Sequence, residues 1–282
     1  MSTALSVCHG EFGRAALYRL DKSLITHAHR EGHLIFHIEG SFSDVMVNSS
    51  HHAVDHDRAV AVSPLEPHSF NVNNDDEPSV VLVLYIKPIW FLENSHSAEF
   101  TLRFGSSNVV RTESINSVVR SFISLLLNGH NTENIDTLLF SLCKLCYDQT
   151  WHSVSSPGLL QNKCSSFSDY RIRRSLRMMQ NRISAEVEME EIARAVGLSR
   201  PHFFKLFKKQ LGVTPNVYLN TLRSERAIDE LVNSEKSVTS IAYDLGYSSQ
   251  AAFTRFFSSN VGVAPSEYRR VADNPSSYIP VG

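Results

Sequence analysis

The chain writes one sentence twice. "GLSRPHFFKLFKKQLGVTP" runs from Gly197 to Pro215, and "GYSSQAAFTRFFSSNVGVAP" starts again at Gly246. Ile192-Ala193 aligns with Ile241-Ala242, Gly197 with Gly246 and Ser199 with Ser248. After one extra residue in the second copy, Phe203 matches Phe253, Lys205 matches Arg255, Phe207 matches Phe257, Gly212 matches Gly262, Pro215 matches Pro265 and Tyr218 matches Tyr268. Each copy reads as a helix, a tight turn and a second helix. In the first, "EMEEIARAV" puts Met189, Ile192, Ala193 and Val196 on one side. Gly197 supplies the turn, and Ser199 caps the next helix. In that helix Phe203, Leu206, Phe207 and Gln210 share a face at about 100° per residue, leaving Pro201, His202, Lys205, Lys208 and Lys209 opposite. In the second copy Phe253, Phe256 and Phe257 form the back, while Gln250, Ala251, Thr254, Arg255 and Ser258 face outward or lie at the border.

A helix that shows small, polar and basic side chains from a compact unit fits the DNA major groove, where Arg and Lys pair with guanine edges and Gln with adenine. The apolar words are shared because both copies need one scaffold; the polar words differ because each reads a different stretch of DNA. Between the units, "TPNVYLNTLRSERAIDELVNSE" reads as one long helix with Thr214 as cap and Pro215 at its first position. A stiff spacer of this kind holds two reading helices about one DNA turn apart. Charge follows the same division. Residues 169–273 carry 16 Lys and Arg against 12 Asp and Glu, the remainder 11 against 17. Twelve of the 13 histidines lie outside that segment, which keeps only His202.

Residues 168–271 resemble the AraC/XylS class of bacterial transcriptional regulators, through "EEIARAVGLS", "FKKQLGVTPNVYLNTLRSERA", "SIAYDLGYSSQAAFTRFF" and "GVAPSEYRR". The resemblance implies two helix-turn-helix subdomains that bind direct-repeat half-sites beside promoters and often recruit RNA polymerase. Carried over by position, the base-reading candidates are Pro201, His202, Phe204 and Lys205 in the first unit and Gln250, Ala251, Thr254 and Arg255 in the second. Arg200, Lys208, Lys209 and Ser258 complete the expected DNA-binding set. Pro201 and Phe204 have no hydrogen bond to offer, which points the first unit toward thymine methyls or DNA shape.

The front of the chain has a different texture. "AALYRL", "HLIFHIEG", "SDVMVN", "RAVAVS" and "SVVLVLYI" read as short strands separated by turn residues, the mark of a small barrel or sandwich, with "NVNNDDEP" as a turn or loop. From about residue 113 the period changes. Ile115, Val118, Val119, Phe122, Leu125 and Leu126, then Ile135, Leu138, Leu139, Leu142 and Leu145, recur at three and four and predict two antiparallel helices. These can cover the barrel and also meet a second subunit. A Ser-rich stretch at 152–168 reads as a linker, and 274–282 as a loose tail. Cys8, Cys143, Cys146 and Cys164 are too few and too scattered for a disulfide framework, and the Cys143/Cys146 pair sits among apolar residues as buried thiols.

"ITHAHREGHLIFHIEG" groups His27, His29 and His33, and "VSPLEPHSF" adds His68. Neutral imidazoles from neighbouring strands are good ligands for zinc, iron, nickel or copper. The pattern resembles a cupin barrel, in which H-x-H, an acidic residue and a later His hold a metal; here His33 stands at the acidic position. Cupin-type domains in front of AraC-type units commonly bind a small organic effector instead. A metal site, an effector pocket lined by these histidines, and a structural role all remain open. His51, His52 and His56, in "NSSHHAVDHD", read as a surface loop.

The expected architecture is α+β: a cupin-like effector-binding β-barrel over 1–95, a helical dimerisation segment over 96–151, the linker, a tandem helix-turn-helix domain over 169–273 and the tail. The expected function is a cytoplasmic, homodimeric, effector-gated activator acting on double-stranded promoter DNA, with RNA polymerase as partner and no membrane. Two other readings are a cupin metalloenzyme, a dioxygenase or isomerase using Glu31, and a constitutive DNA-binding dimer. Against the enzyme, the chain has no Gly-rich phosphate loop, no G-x-S-x-G elbow and no Ser/His/Asp set.

Overall fold

The computed structural model describes residues 2–72, 77–95, 102–128, 132–152, 169–183 and 187–273. The expected linker beyond its first residue, Cys164 and the tail lie outside these residues, as does half of "NVNNDDEP", residues 73–76.

Ten strands fill the front: β1 (Thr3–Gly10), β2 (Gly13–Leu20), β3 (Leu24–His27), β4 (Gly32–Gly40), β5 (Ser43–Val47), β6 (Ser50–Val54), β7 (Arg58–Val62), β8 (His68–Val72), β9 (Ser79–Ile86) and β10 (Asn108–Val110). They form two antiparallel sheets, ordered β1-β2-β9-β4-β7-β10 and β3-β8-β5-β6. Among the described residues neither sheet closes on itself, so the expected barrel is here a two-sheet stack.

Both faces of the six-stranded sheet are dry, which is why "VVLVLYI" shows no alternation of apolar and polar residues. One face turns Tyr18, Ile35, Val60, Val62, Val81 and Val83 toward Val45, Val47 and Phe70 of the second sheet. The other turns Leu17, Leu34, Phe36, Leu82, Leu84 and Ile86 toward helices. These are α1 (Pro88–Ser95), α2 (Glu113–Asn128) and α3 (Thr132–His152), which bring Trp90, Phe91, Ile115, Phe122, Leu139 and Leu142. Cys143 and Cys146 are free thiols buried in this layer. The segment expected to be wholly helical, 96–151, also contributes β10 to the sheet, so it shares a core with the strands. "SHHAV" is an edge strand rather than a loop. His51 and His52 project from it, held by Asp44 at 2.9 Å and Asn108 at 2.8 Å, a polar pattern that suits a sheet edge.

The rest is helical: α4 (Tyr170–Asn181), α5 (Met189–Ala195), α6 (Arg200–Leu211), α7 (Pro215–Asn233), α8 (Val238–Asp244), α9 (Gln250–Val261) and α10 (Pro265–Asp273). The first unit packs around Ile172, Met179, Ile192, Phe203, Phe207 and Leu222. The second has Ile241, Phe253, Phe257 and Tyr268, and this core is continuous with that of the sheets. No described helix is long and apolar enough to cross a membrane.

Candidate DNA-reading face and histidine cluster

The two copies fold alike because their shared residues meet the same backbone demands. Gly197 and Gly246 take φ of +73° and +79° at the turn, and the residue after each donates to the carbonyl of Ala193 or Ala242, at 2.9 Å in both copies. The caps differ. Ser249, not Ser248, caps α9, its Oγ accepting from the Ala252 amide at 3.2 Å, whereas Ser199 occupies the cap position of α6 without a side-chain bond. The extra residue of the second copy is therefore spent in the turn, and the two reading helices start in equivalent registers. Thr214 caps α7 by accepting from Val217, with Pro215 at its first position. At 19 residues that helix is about 28 Å long.

Phe203, Phe207, Phe253 and Phe257 are fully buried on the backs of α6 and α9. On the fronts, Arg200, Pro201, His202, Lys205, Lys208 and Lys209 are exposed in α6, and Gln250, Ala251 and Arg255 in α9. Among the described residues, neither hydrogen bond nor ion pair occupies Lys205, Lys208, Lys209 or Arg255. Gln250 Oε1 accepts from Thr239 Oγ1 at 2.6 Å, so part of its reading capacity is engaged. Thr254 and Ser258 are half-buried, and so is Phe204, which lies against the core with the Arg200 guanidinium 5.4 Å from its ring centre. Arg173, Arg174 and Arg177 of α4, outside the expected DNA-binding set, are also exposed. Their spacing, "RRSLR", was the available signal.

The second constellation is buried. His27 ends β3, His29 follows in the next loop, His33 lies in β4 and His68 opens β8; all four are under 8% exposed. Ring centres lie 4.9 Å apart for His27 and His29, 4.4 Å for His27 and His68, and 4.5 Å for His33 and His68. His27 Nδ1 donates to the Ile25 carbonyl at 2.7 Å and His68 Nδ1 to that of Glu66 at 2.8 Å. Those bonds leave an Nε2 lone pair on each ring. His33 Nε2 stands 2.8 Å from His68 Nε2 and can donate to it, while His29 Nε2 and His33 Nδ1 are buried without partners among the described residues. Burial lowers His27 to about 4 and His68 to about 3, and takes His29 and His33 well below the ordinary range. All four rings are neutral at pH 7. Sequence spacing found these residues; it gave no sign of Tyr85, whose ring centre is 5.1 Å from those of both His29 and His33.

Beyond Tyr85 the buried Arg14 guanidinium lies 3.7 Å from the Tyr85 ring centre. It borders a cavity of about 410 Å³ between the β1–β2 hairpin and α7, lined by His9, Glu11, Arg14, Glu31, Lys87 and Glu225 among others; the four clustered histidines do not line it.

An antiparallel sheet domain packed on paired helix-turn-helix units, each with a cation on its outer helix that no described residue pairs, marks a DNA-binding protein with an attached sheet domain. Residues 192–271 match a helix-turn-helix domain family. The transcriptional activator RhaS of Mannheimia succiniciproducens is 26% identical over 210 residues, 67% of this chain and 77% of that one. The lactose operon transcription activator of Staphylococcus xylosus is 29% identical over 172 residues, 54% of this chain and 60% of its own length. In fold, an apo variant of ToxT from Vibrio cholerae aligns at a TM-score of 0.60 with 17% identity, covering 92% of this chain and 97% of the other. The C-terminal part of the chain is thus a helix-turn-helix domain, and most of the chain is similar to transcriptional activators.

Proposed function

We propose that this regulator reads two adjacent half-sites with α6 and α9, as a cytoplasmic homodimer that activates transcription and is gated through its cupin-like front domain. One observation carries the reading: Lys205 and Arg255 hold matching places on the duplicated helix, both exposed and both without a protein partner. A cation kept clear of carboxylates is available to guanine edges or phosphates. α7 sets the two helices in a fixed relation. Leu145, 39% exposed on α3, offers an apolar point for a subunit contact through the helical layer. Gating is favoured by the way the domains share a core, since a ligand that prefers one arrangement shifts the other by no more than that preference. RNA polymerase enters as the partner of an activator. The enzyme reading draws no support from Glu31, which belongs to the charged cavity beside Arg14.

The test is fluorescence anisotropy of the full chain on fragments selected from random DNA. Lys205→Ala and Arg255→Ala should each cost about 1–3 kcal/mol of specific binding with folding unchanged. The double variant should bind every sequence at the non-specific level. Undiminished sequence preference in that double variant would overturn the assignment.

A further inference from the structure

We infer that His27, His29 and His68 hold a divalent transition metal of the zinc, nickel or copper type, and that this ion is the signal passed to the DNA-reading half. The inference rests on the regulator reading above and adds to it the class of effector. One nitrogen on each of the three rings lies within 4.8 Å of the others, and the three buried rings come from two backbone segments, His27 and His29 from one and His68 from the other. No thiolate or carboxylate enters the group, so a borderline cation that prefers imidazole fits better than a hard oxygen-seeking one. The carbonyls of Ile25 and Glu66 fix the Nδ1 protons of His27 and His68, the outer hydrogen bonds that orient metal-binding imidazoles. His29 Nε2 is buried with nothing described to bond to, a costly arrangement for a group with no ligand. His33 stands next to the site; the ion would displace the bond it makes to His68 and leave it as a fourth donor.

The coupling follows from where the ligand-bearing segments go. Ala28, between two of the ligands, is buried in the core of the first helix-turn-helix unit, and its carbonyl accepts from Thr221 Oγ1 of α7 at 2.8 Å. Arg30 is paired with Glu225 on the same helix at 2.6 Å. The His29 carbonyl accepts from the Leu65 amide at 2.7 Å, and Leu65, three residues before His68, packs against the same core. Ligand nitrogens around a tetrahedral zinc sit about 3.4 Å apart. Filling the site therefore draws the 27–30 and 65–68 segments together, and both end on the first reading unit and its spacer helix.

The experiment uses chelator-stripped full-length protein titrated with Co²⁺, a spectroscopic stand-in for zinc. One equivalent should bind with the absorption of a low-coordinate nitrogen site, and Zn²⁺ should displace it. Loss of an outer hydrogen bond around a metal costs about 10- to 100-fold, so His29→Ala and His68→Ala should lower affinity by at least about 100-fold, while His51→Ala leaves it intact. Zn²⁺ against chelator should change affinity for a selected DNA fragment by about 5-fold or more, and Thr221→Val should shrink that change while Co²⁺ still binds. Absence of Co²⁺ binding, or binding that survives both ligand substitutions, would overturn the site. Binding with no effect on DNA affinity would overturn the coupling. Should the variants fail to fold, X-ray absorption of the zinc-loaded wild type decides: three or four imidazoles support the site and sulfur ligation sinks it. Lys205→Ala,Arg255→Ala protein should bind Co²⁺ normally, so failure of DNA reading and failure of the metal site give different results.

Discussion

Two glycines in matching positions meet different neighbours. Gly212 and Gly262 end α6 and α9 at φ of +82° and +95°, a region where a side chain costs about 1–2 kcal/mol. A Cβ on Gly212 would find only the Leu65 carbonyl oxygen, at 3.9 Å; one on Gly262 would stand 3.0 Å from Leu20 Cδ2, in a side chain that is itself buried. Gly212→Ala should therefore cost about 1–2 kcal/mol of stability in urea unfolding of the full chain. Gly262→Ala should cost roughly 1–3 kcal/mol more, because it overfills a packed core. Equal costs would mean that Leu20 yields freely. At this scale the sequence displayed each glycine's backbone role, since both follow a helical apolar pattern. It could not display Leu20, which lies far away along the chain. The histidines are a similar case: four of them were legible as a group, but their burial and their link to Thr221 depend on α7, which no local pattern joins to β3.

Among the elements, legibility followed how each one is buried. The strands read from sequence, within β2, β4, β5, β7 and β9, carry apolar runs because most of their residues face a dry layer. β1, β6 and β10 escaped notice, and β3 and β8 were legible only through their histidines, these strands being short, at edges, or made of polar residues such as "SHHAV" and "HSFNV". The reading helices were legible throughout, their period and turns agreeing. The cap of the second was not legible, since either serine of "SS" satisfies the pattern, and the structure uses Ser249. Because Ser249 makes its cap bond and Ser199 does not, Ser249→Ala should cost about 1 kcal/mol and Ser199→Ala appreciably less. Amide hydrogen exchange at the start of α9 and α6 would measure both. A larger loss at Ser199 would contradict the geometry.

At the scale of the whole molecule, the second helix-turn-helix unit leans on the sheet domain and the first mostly does not. Ile241, Leu245, Phe253, Phe257 and Tyr268 share one apolar cluster with Ala4, Val7, Tyr18 and Leu20 of the sheet, and His9 Nε2 lies 3.1 Å from the Tyr268 hydroxyl across the join. The first unit has its own cluster, entered from the front domain chiefly by Ala28 and Leu65. Truncating a sheet residue on that shared face must then loosen a DNA-reading element distant in sequence. Leu20→Ala removes a fully buried side chain at the join, at a cost of about 2–5 kcal/mol. Leu34→Ala removes an equally buried one from the opposite face of the same sheet, under α1–α3. Both variants should lose similar overall stability. Only Leu20→Ala should lower hydrogen-exchange protection across 238–261 relative to 189–211, because sub-global opening follows the cluster to which the lost side chain belonged. If both variants loosen the two units equally, the domains unfold as a single body, and the sheet domain has no separate hold on the second reading helix.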